Sequence, residues 1–189
     1  MEEELCGRRK MSDNNLETVI IRLAVEKDVD QIMEIVQKVI PLMQSRGNYQ
    51  WDQNYPNSEV FFLDVMNQDL WVGEIDGVVI GMIALTLDQP KEYAHVGLDL
   101  SEVSIVPHRM AVDPDYQGRG IAKKLLNQAD VVAQTKGIPR VRIDTNLHNP
   151  ITRRLFPISG YTLKGEIGLD TRPGLRFLCY EKLIHGESS

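Results

Sequence analysis

The stretch Arg109–Leu126, "RMAVDPDYQGRGIAKKLL", decides how this chain is read. It starts as an apolar strand, turns at Asp113-Pro114, and passes through Gly118 and Gly120 into Ile121, Ala122, Leu125 and Leu126 at helical spacing. A helix that begins here leaves its first amides, from about residue 118 to 122, without acceptors and at the positive end of the helix dipole. That arrangement suits a diphosphate. Gly118 and Gly120 let a ligand approach the backbone because no Cβ intervenes, and Arg119, Lys123 and Lys124 add positive charge in or beside the first turn. An ordinary surface turn with a solvated basic face reads the same letters. Two other phosphate loops do not fit. The pattern G-x-x-x-x-G-K-[ST] is absent. A dinucleotide fingerprint needs a small residue where Lys123 stands, and a parallel βαβ unit where a hairpin precedes.

On the N-terminal side, "TVIIRLA" (18–24) is β-branched and apolar, as a strand requires, and Val29, Ile32, Met33, Val36 and Ile40 recur at helical spacing. Pro41 is expected to strain or end that helix. The loop "QSRGNYQWDQNYPN" (44–57) is rich in aromatics, and Ser58 is expected to cap a second helix. "LWVGEIDGVVIGMIALTLD" (70–88) places two β-rich runs around Asp76-Gly77, a strong hairpin signal. Residues 88–102 read as irregular, and 103–112 as a strand interrupted near Pro107.

After the central helix, Gly137 is a plausible cap, "PRVRIDTN" (139–146) a strand, and Asn149-Pro150 the N-cap and first residue of a short helix. "YTLKGEIGL" and "GLRFLCYEKLI" supply two last strands. This order predicts an α/β (α+β) fold, a central mixed sheet flanked by helices, over residues 18–184, with tails at 1–17 and 185–189. An all-parallel doubly wound sheet does not fit.

The 189 residues suffice for one well-buried core, and the net charge of −6 argues against a nucleic-acid surface. Two distant cysteines, Cys6 and Cys179, indicate neither a disulfide framework nor a metal site, and they point to a reducing, cytoplasmic compartment. No run of about eighteen apolar residues suggests a membrane span.

Within the central stretch, Gln117-x-x-Gly120-x-Ala122 follows directly on a strand that ends in "AVDP". It resembles the acyl-CoA-binding motif Q/R-x-x-G-x-G/A of the GNAT family of N-acetyltransferases. "NPITRRLFPISGY" (149–161) resembles that family's second motif, and "QWDQNYP", "HRMAV", "RIDTN" and "FLCYEK" are similar to a bacterial-type branch of it. The resemblance covers residues 18–184. It implies a GNAT-like N-acyltransferase fold with acetyl-CoA as acyl donor and no metal. The acceptor would be the primary amine of a small molecule or peptide. It further implies that the backbone of Met110, Ala111 and Val112 pairs with the pantetheine arm, and that the diphosphate lies over Gln117, Gly118, Arg119, Gly120, Ile121, Ala122 and Lys123. Asn149 and Phe156 would flank the cofactor in the second motif. The loop carrying Trp51, Asp52 and Tyr55 would border the acceptor pocket, an aromatic wall with one carboxylate that suits a cationic amine. A homodimer is compatible with the resemblance, though no stretch singles out an interface.

Acetyl transfer to an amine needs a neutral amine, a stabilised oxyanion and a departing thiolate. An alkylammonium has a pKa of about 10.4, so a base or water relay must take its proton. His108 is the first candidate, because a regular strand puts 108, 110 and 112 on one face. Glu102 is the second, followed by Asp144 and His148. The Val112 N–H is the best candidate for the oxyanion. Where many relatives carry a tyrosine that can protonate the leaving sulfur, this chain has Phe156, and Pro157 is expected to distort or end the helix. A phenyl ring donates no proton. A non-catalytic acyl-CoA-binding module therefore stands as the alternative reading.

Overall fold

The computed structural model describes residues 18–184, and the expected tails, with Cys6, lie outside the described residues. The elements are β1 (Ile20–Leu23), α1 (Val29–Gln44), α2 (Ser58–Met66), β2 (Leu70–Ile75), β3 (Val78–Thr86), β4 (Val106–Val112), α3 (Ile121–Thr135), β5 (Arg140–Asn146), α4 (Pro150–Ile158), β6 (Thr162–Gly168) and β7 (Arg176–Leu183). They build two antiparallel sheets, ordered β1-β2-β3-β4 and β5-β7-β6. A single parallel bridge, Ile105 to Val141, joins them and makes the whole mixed.

That bridge sets where the two sheets part. Ile105 N–H donates to Arg140 O at 3.1 Å and Arg142 N–H to Ile105 O at 2.9 Å. Beyond it β4 and β5 part. β4 follows β3 through a bulge opposite Met82–Ala84, where Arg109 takes a left-handed φ of +50°. β5 is paired along its other edge with β7, from Arg140↔Leu183 to Asn146↔Phe177. An extra residue in one strand bends it away from its partner, so the bulge in β4 opens a mouth between the sheets.

The two faces are covered by different helices. α1 and α2 cover one with Val29, Ile32, Ile35, Val36 and Phe61 against Leu70, Val72 and Met82. α3 covers the other with Ile121, Leu125, Leu126, Ala129 and Val132 against Ile80, Ile83 and Leu85. Each such leucine stabilises the fold by about 1.5–3 kcal/mol through burial. These two stripes hold β3 and β4 from both sides, which makes the mouth a fixed opening. Among the described residues no helix is long and apolar enough to cross a membrane.

Several local expectations are corrected. α1 runs through Pro41 to Gln44; the proline lies in the last turn, where one lost hydrogen bond does little harm. Asn57, not Ser58, caps α2: its backbone is extended, and its side chain accepts from Val60 N–H at 3.1 Å. The segment read as irregular holds a 3-10 turn at Lys91–Val96, and the strand expected from 103 starts at Val106. α4 continues one residue past Pro157, to Ile158. The Gly137 cap is present. Gly137, at φ +65°, donates to Gln134 O, and Ile138 N–H donates to Ala133 O at 2.8 Å. The hairpin turn is likewise present, with Asp76 and Gly77 both at positive φ.

Candidate active site

The mouth between β4 and β5 opens into one continuous cleft of about 1210 Å³, lined from the α1–α2 loop to the N-terminus of α3. One end is the glycine turn. Gly118 and Gly120 have φ of +80° and +77°, so the backbone itself demands glycine. A Cβ built on either meets nothing within 4 Å, which leaves the space outside the turn open. The bond from Lys124 N–H to Gly120 O, 3.1 Å, closes the first turn of α3. The amides before residue 124 therefore have no acceptor one turn back within the helix. No acidic residue sits in the first turn. Lys38 neutralises the nearest acids, Asp113 at 2.8 Å and Asp115 at 3.1 Å. Lys123 and Ala122 line the cleft, and Ile121 is anchored in the core beneath. Arg119 does not line it; its guanidinium lies 5.0 Å from the Tyr116 ring.

β4 forms the adjoining wall. Asp113 N–H donates to Ile80 O at 2.9 Å, so by the alternation of an antiparallel ladder Ala111 also turns its backbone to β3. Met110 and Val112 turn theirs to the mouth. Of the three residues expected to pair with a ligand arm, Met110 and Val112 face the mouth and Ala111 does not. The Gln117 side-chain amide reaches back and donates to Val112 O at 3.2 Å. On the opposite wall Asn149 caps α4, its Oδ1 accepting from Thr152 N–H at 3.3 Å. Phe156 lines the cleft from the core, edge-on to Tyr180 at 5.4 Å.

Two titratable groups face the middle of the cleft. His108, half-buried on β4, has its pKa lowered to about 4 by burial and by the charge of Arg109, so the imidazole is neutral at physiological pH. Its Nε2 lies 3.4 Å from Asp88 O. Asp144, across the mouth on β5, accepts a hydrogen bond from Tyr93 Oη at 2.8 Å. Burial raises its carboxyl to about 6, against the lowering effect of that bond. Its partner Tyr93 is fully buried in the 3-10 turn Lys91–Val96. His148 lies at the rim and lines the same cleft.

Besides Arg119, two expected site residues are elsewhere. Glu102 lies outside the cleft and pairs with Arg140 and with Arg142, the latter at 2.7 Å. Arg142 is wholly buried and also binds Glu181 at 2.9 Å and Gln89 Oε1 at 2.6 Å. A buried guanidinium needs such partners, and it draws Glu102 toward β5 and β7, away from the mouth. Asp52 is also outside the lining. Its Oδ1 accepts from Asn54 N–H at 2.7 Å and Tyr55 N–H at 3.1 Å, closing its own loop. Trp51 and Tyr55 do line the cleft at the α1–α2 loop, Trp51 from a buried position against α1.

Sequence reasoning missed Arg109. Its guanidinium donates to both oxygens of Asp64 at 2.7 Å and to Tyr55 Oη at 3.2 Å. A bidentate pair from β4 to α2 thus clamps the bulge that opens the mouth. Arg172, also missed, lies 4.2 Å over the Tyr55 ring. No metal site is formed by groups of His, Cys, Asp or Glu among the described residues.

Known proteins resemble this chain. The family model described as acetyltransferase (GNAT) family matches residues 34–161, more than half of the chain. An S-(2-succino)cysteine N-acetyltransferase of Bacillus subtilis is 27% identical over 77% of this chain and 85% of its own. An acetyltransferase of the same family from Streptococcus agalactiae superposes with a TM-score of 0.76 at 28% identity, covering 89% of this chain and 96% of its own. An acetyltransferase of Salmonella typhimurium, solved with its cofactor acetyl-CoA, has a TM-score of 0.67 at 18% identity over 91% and 97% of the two chains, and shares the fold. The open mouth between β4 and β5, the glycine turn at its end and the family match lead to one conclusion: the chain belongs to the GNAT family of acetyltransferases.

Proposed function

We propose that residues 18–184 act as an N-acetyltransferase that passes the acetyl group of acetyl-CoA directly to the primary amine of a small molecule or peptide. The observation that carries this reading is continuity. One cleft joins the glycine turn, the free backbone edge of β4 and two titratable groups on facing strands. The residues fit the cofactor. The cradle at Gly118 and Gly120 is open where a Cβ would stand, and the amides at the start of α3 lack intrahelical acceptors. Met110 and Val112 can hold an extended arm by strand-like hydrogen bonds.

When bound, acetyl-CoA supplies an activated thioester carbonyl. The chain must then hold the amine, take its proton and stabilise the charge on oxygen. The Val112 N–H, turned to the mouth, is suited to the oxyanion. Between His108 and Asp144, which face each other across the mouth, Asp144 binds its proton more tightly, at about 6 against about 4. A stronger base takes a proton from an ammonium more readily, so we assign the base to Asp144. The neutral ring of His108 is given a hydrogen bond to the amine. This reverses the ranking drawn from sequence because burial, with the charge of Arg109 one residue away, suppresses imidazole basicity. Phe156 donates no proton, and a thiol of pKa about 8.5 can leave as the thiolate. The Bacillus relative is named for acetylating a cysteine derivative, which favours a small amino-acid-like acceptor over a peptide.

The test is thiol release from acetyl-CoA with a panel of amines, paired with mass spectrometry of the product. Acceptor-dependent release with one acetyl group gained by the amine supports the transferase. Acetyl-CoA binding with no release for any amine supports a binding module, a role compatible with Phe156.

A further inference from the structure

We infer that the acceptor amine also carries a carboxylate, held by Arg172 where it lies over the Tyr55 ring. The inference rests on the transferase reading and concerns the acceptor end of the same cleft. There the guanidinium of Arg172 lies over the Tyr55 ring at 4.2 Å, while that of Arg109 donates to the Tyr55 hydroxyl at 3.2 Å. Both arginines line the cleft.

Their surroundings differ in a way that selects an anion. The charge of Arg109 is balanced by Asp64, which takes its Nε and Nη2. Arg172 donates only to Thr171 O at 2.9 Å and has no carboxylate partner among the described residues. The neighbouring acids are otherwise engaged. Asp170 pairs with Lys91 at 2.6 Å, and Glu92, buried, accepts from Asp170 N–H at 3.1 Å. Arg46, exposed at the same end, adds a second cation with no ion pair among the described residues. Stacking on Tyr55 limits the rotamers of Arg172 in advance, so a planar fork of donors faces a ligand at low entropic cost. A carboxylate matches that fork.

The opposite polarity lies nearer the reacting centre, where Asp88, Asp144 and neutral His108 suit an amine. Anion-binding and amine-binding groups at separate places in one cleft fit an amino-carboxylate. The sequence reading expected a cationic acceptor facing Asp52; that carboxylate is turned into its own loop, and arginines line the cleft in its place.

The test compares L-aspartate, L-glutamate and S-carboxymethyl-L-cysteine with their methyl esters, by thiol release, in wild type and in Arg172→Gln. The wild type is expected to prefer the free acids over the esters at least tenfold in kcat/KM, chiefly through KM. Arg172→Gln is expected to bring that ratio close to one, Arg172→Lys to restore part of it, and the Kd of acetyl-CoA to stay the same in all three. Esters used as well as acids by the wild type, or a ratio unmoved in Arg172→Gln, would overturn the inference while leaving the transferase standing. Thiol release with none of the acids or esters, nor with any simple amine, would overturn both.

Discussion

Replacing Asp144 by Asn removes one charge from the floor of the cleft and keeps an acceptor for the Tyr93 hydroxyl, 2.8 Å away. Burial, opposed by that bond and assisted by Glu92, raises the Asp144 carboxyl from 3.8 to about 6. A carboxyl raised in this way stabilises the folded chain at low pH, fully below about 3.8, and loses that contribution as pH rises through about 6. The whole shift corresponds to about 3 kcal/mol; because the carboxyl faces the open cleft, where solvent screens it, about 1.5–3 kcal/mol is expected. The stability of Asp144→Asn relative to wild type should therefore move in the variant's favour by that amount between about pH 4 and 7. Urea denaturation followed by the fluorescence of Trp51 and Trp71 at each pH measures the difference, and titrations common to both proteins cancel. Turnover should show the complementary effect. The wild-type rate rises with pH through about 6 as the base is freed, and the variant loses that limb with about 10²-fold or more of kcat/KM. A stability difference flat with pH, together with wild-type turnover in the variant, would refute both the burial of this charge and its role.

Gly120→Ala places a side chain at φ +77°, which should cost about 1–2 kcal/mol of stability. It should also weaken acetyl-CoA binding at least tenfold, since the added methyl enters the open space of the cradle. Calorimetric titration checks the second effect, and unchanged affinity would remove the turn from the cofactor site. Glu102→Gln leaves buried Arg142 with Glu181 as its remaining close anion, so stability should fall by about 1–3 kcal/mol. Its kcat should stay within about twofold of wild type; a large loss of kcat with little loss of stability would return Glu102 to the list of bases.

What could be read from the letters were local features and one long motif. Asp76-Gly77 fixed a hairpin because a two-residue turn needs positive φ. The run from Gln117 to Lys124 located the end of the cleft, because glycines, a strand before and an apolar stripe after all occur within one window. The active-site centre was less legible because its parts are distant in sequence and their properties arise from packing. The Asp144 carboxyl is raised by burial that only the folded chain supplies, and it is held by the Tyr93 hydroxyl, 51 residues earlier. Arg109 looked like one more strand residue, yet its positive φ and its pair with Asp64, 45 residues away, define the bulge. Glu102 and Asp52 looked like free carboxylates, and buried Arg142 and the loop amides claim them. A carboxylate's role depends on which cation or N–H reaches it first, and that is decided by the tertiary fold.

The central claim is that the opening between β4 and β5 receives acetyl-CoA with its diphosphate on the start of α3. A crystal structure of the full chain grown with acetyl-CoA tests it most directly. The account predicts phosphate oxygens within hydrogen-bonding distance of the amides from Gly118 to Lys123, and the pantetheine arm along Met110 and Val112. Density for the cofactor elsewhere on the surface, with these amides facing solvent alone, would contradict it.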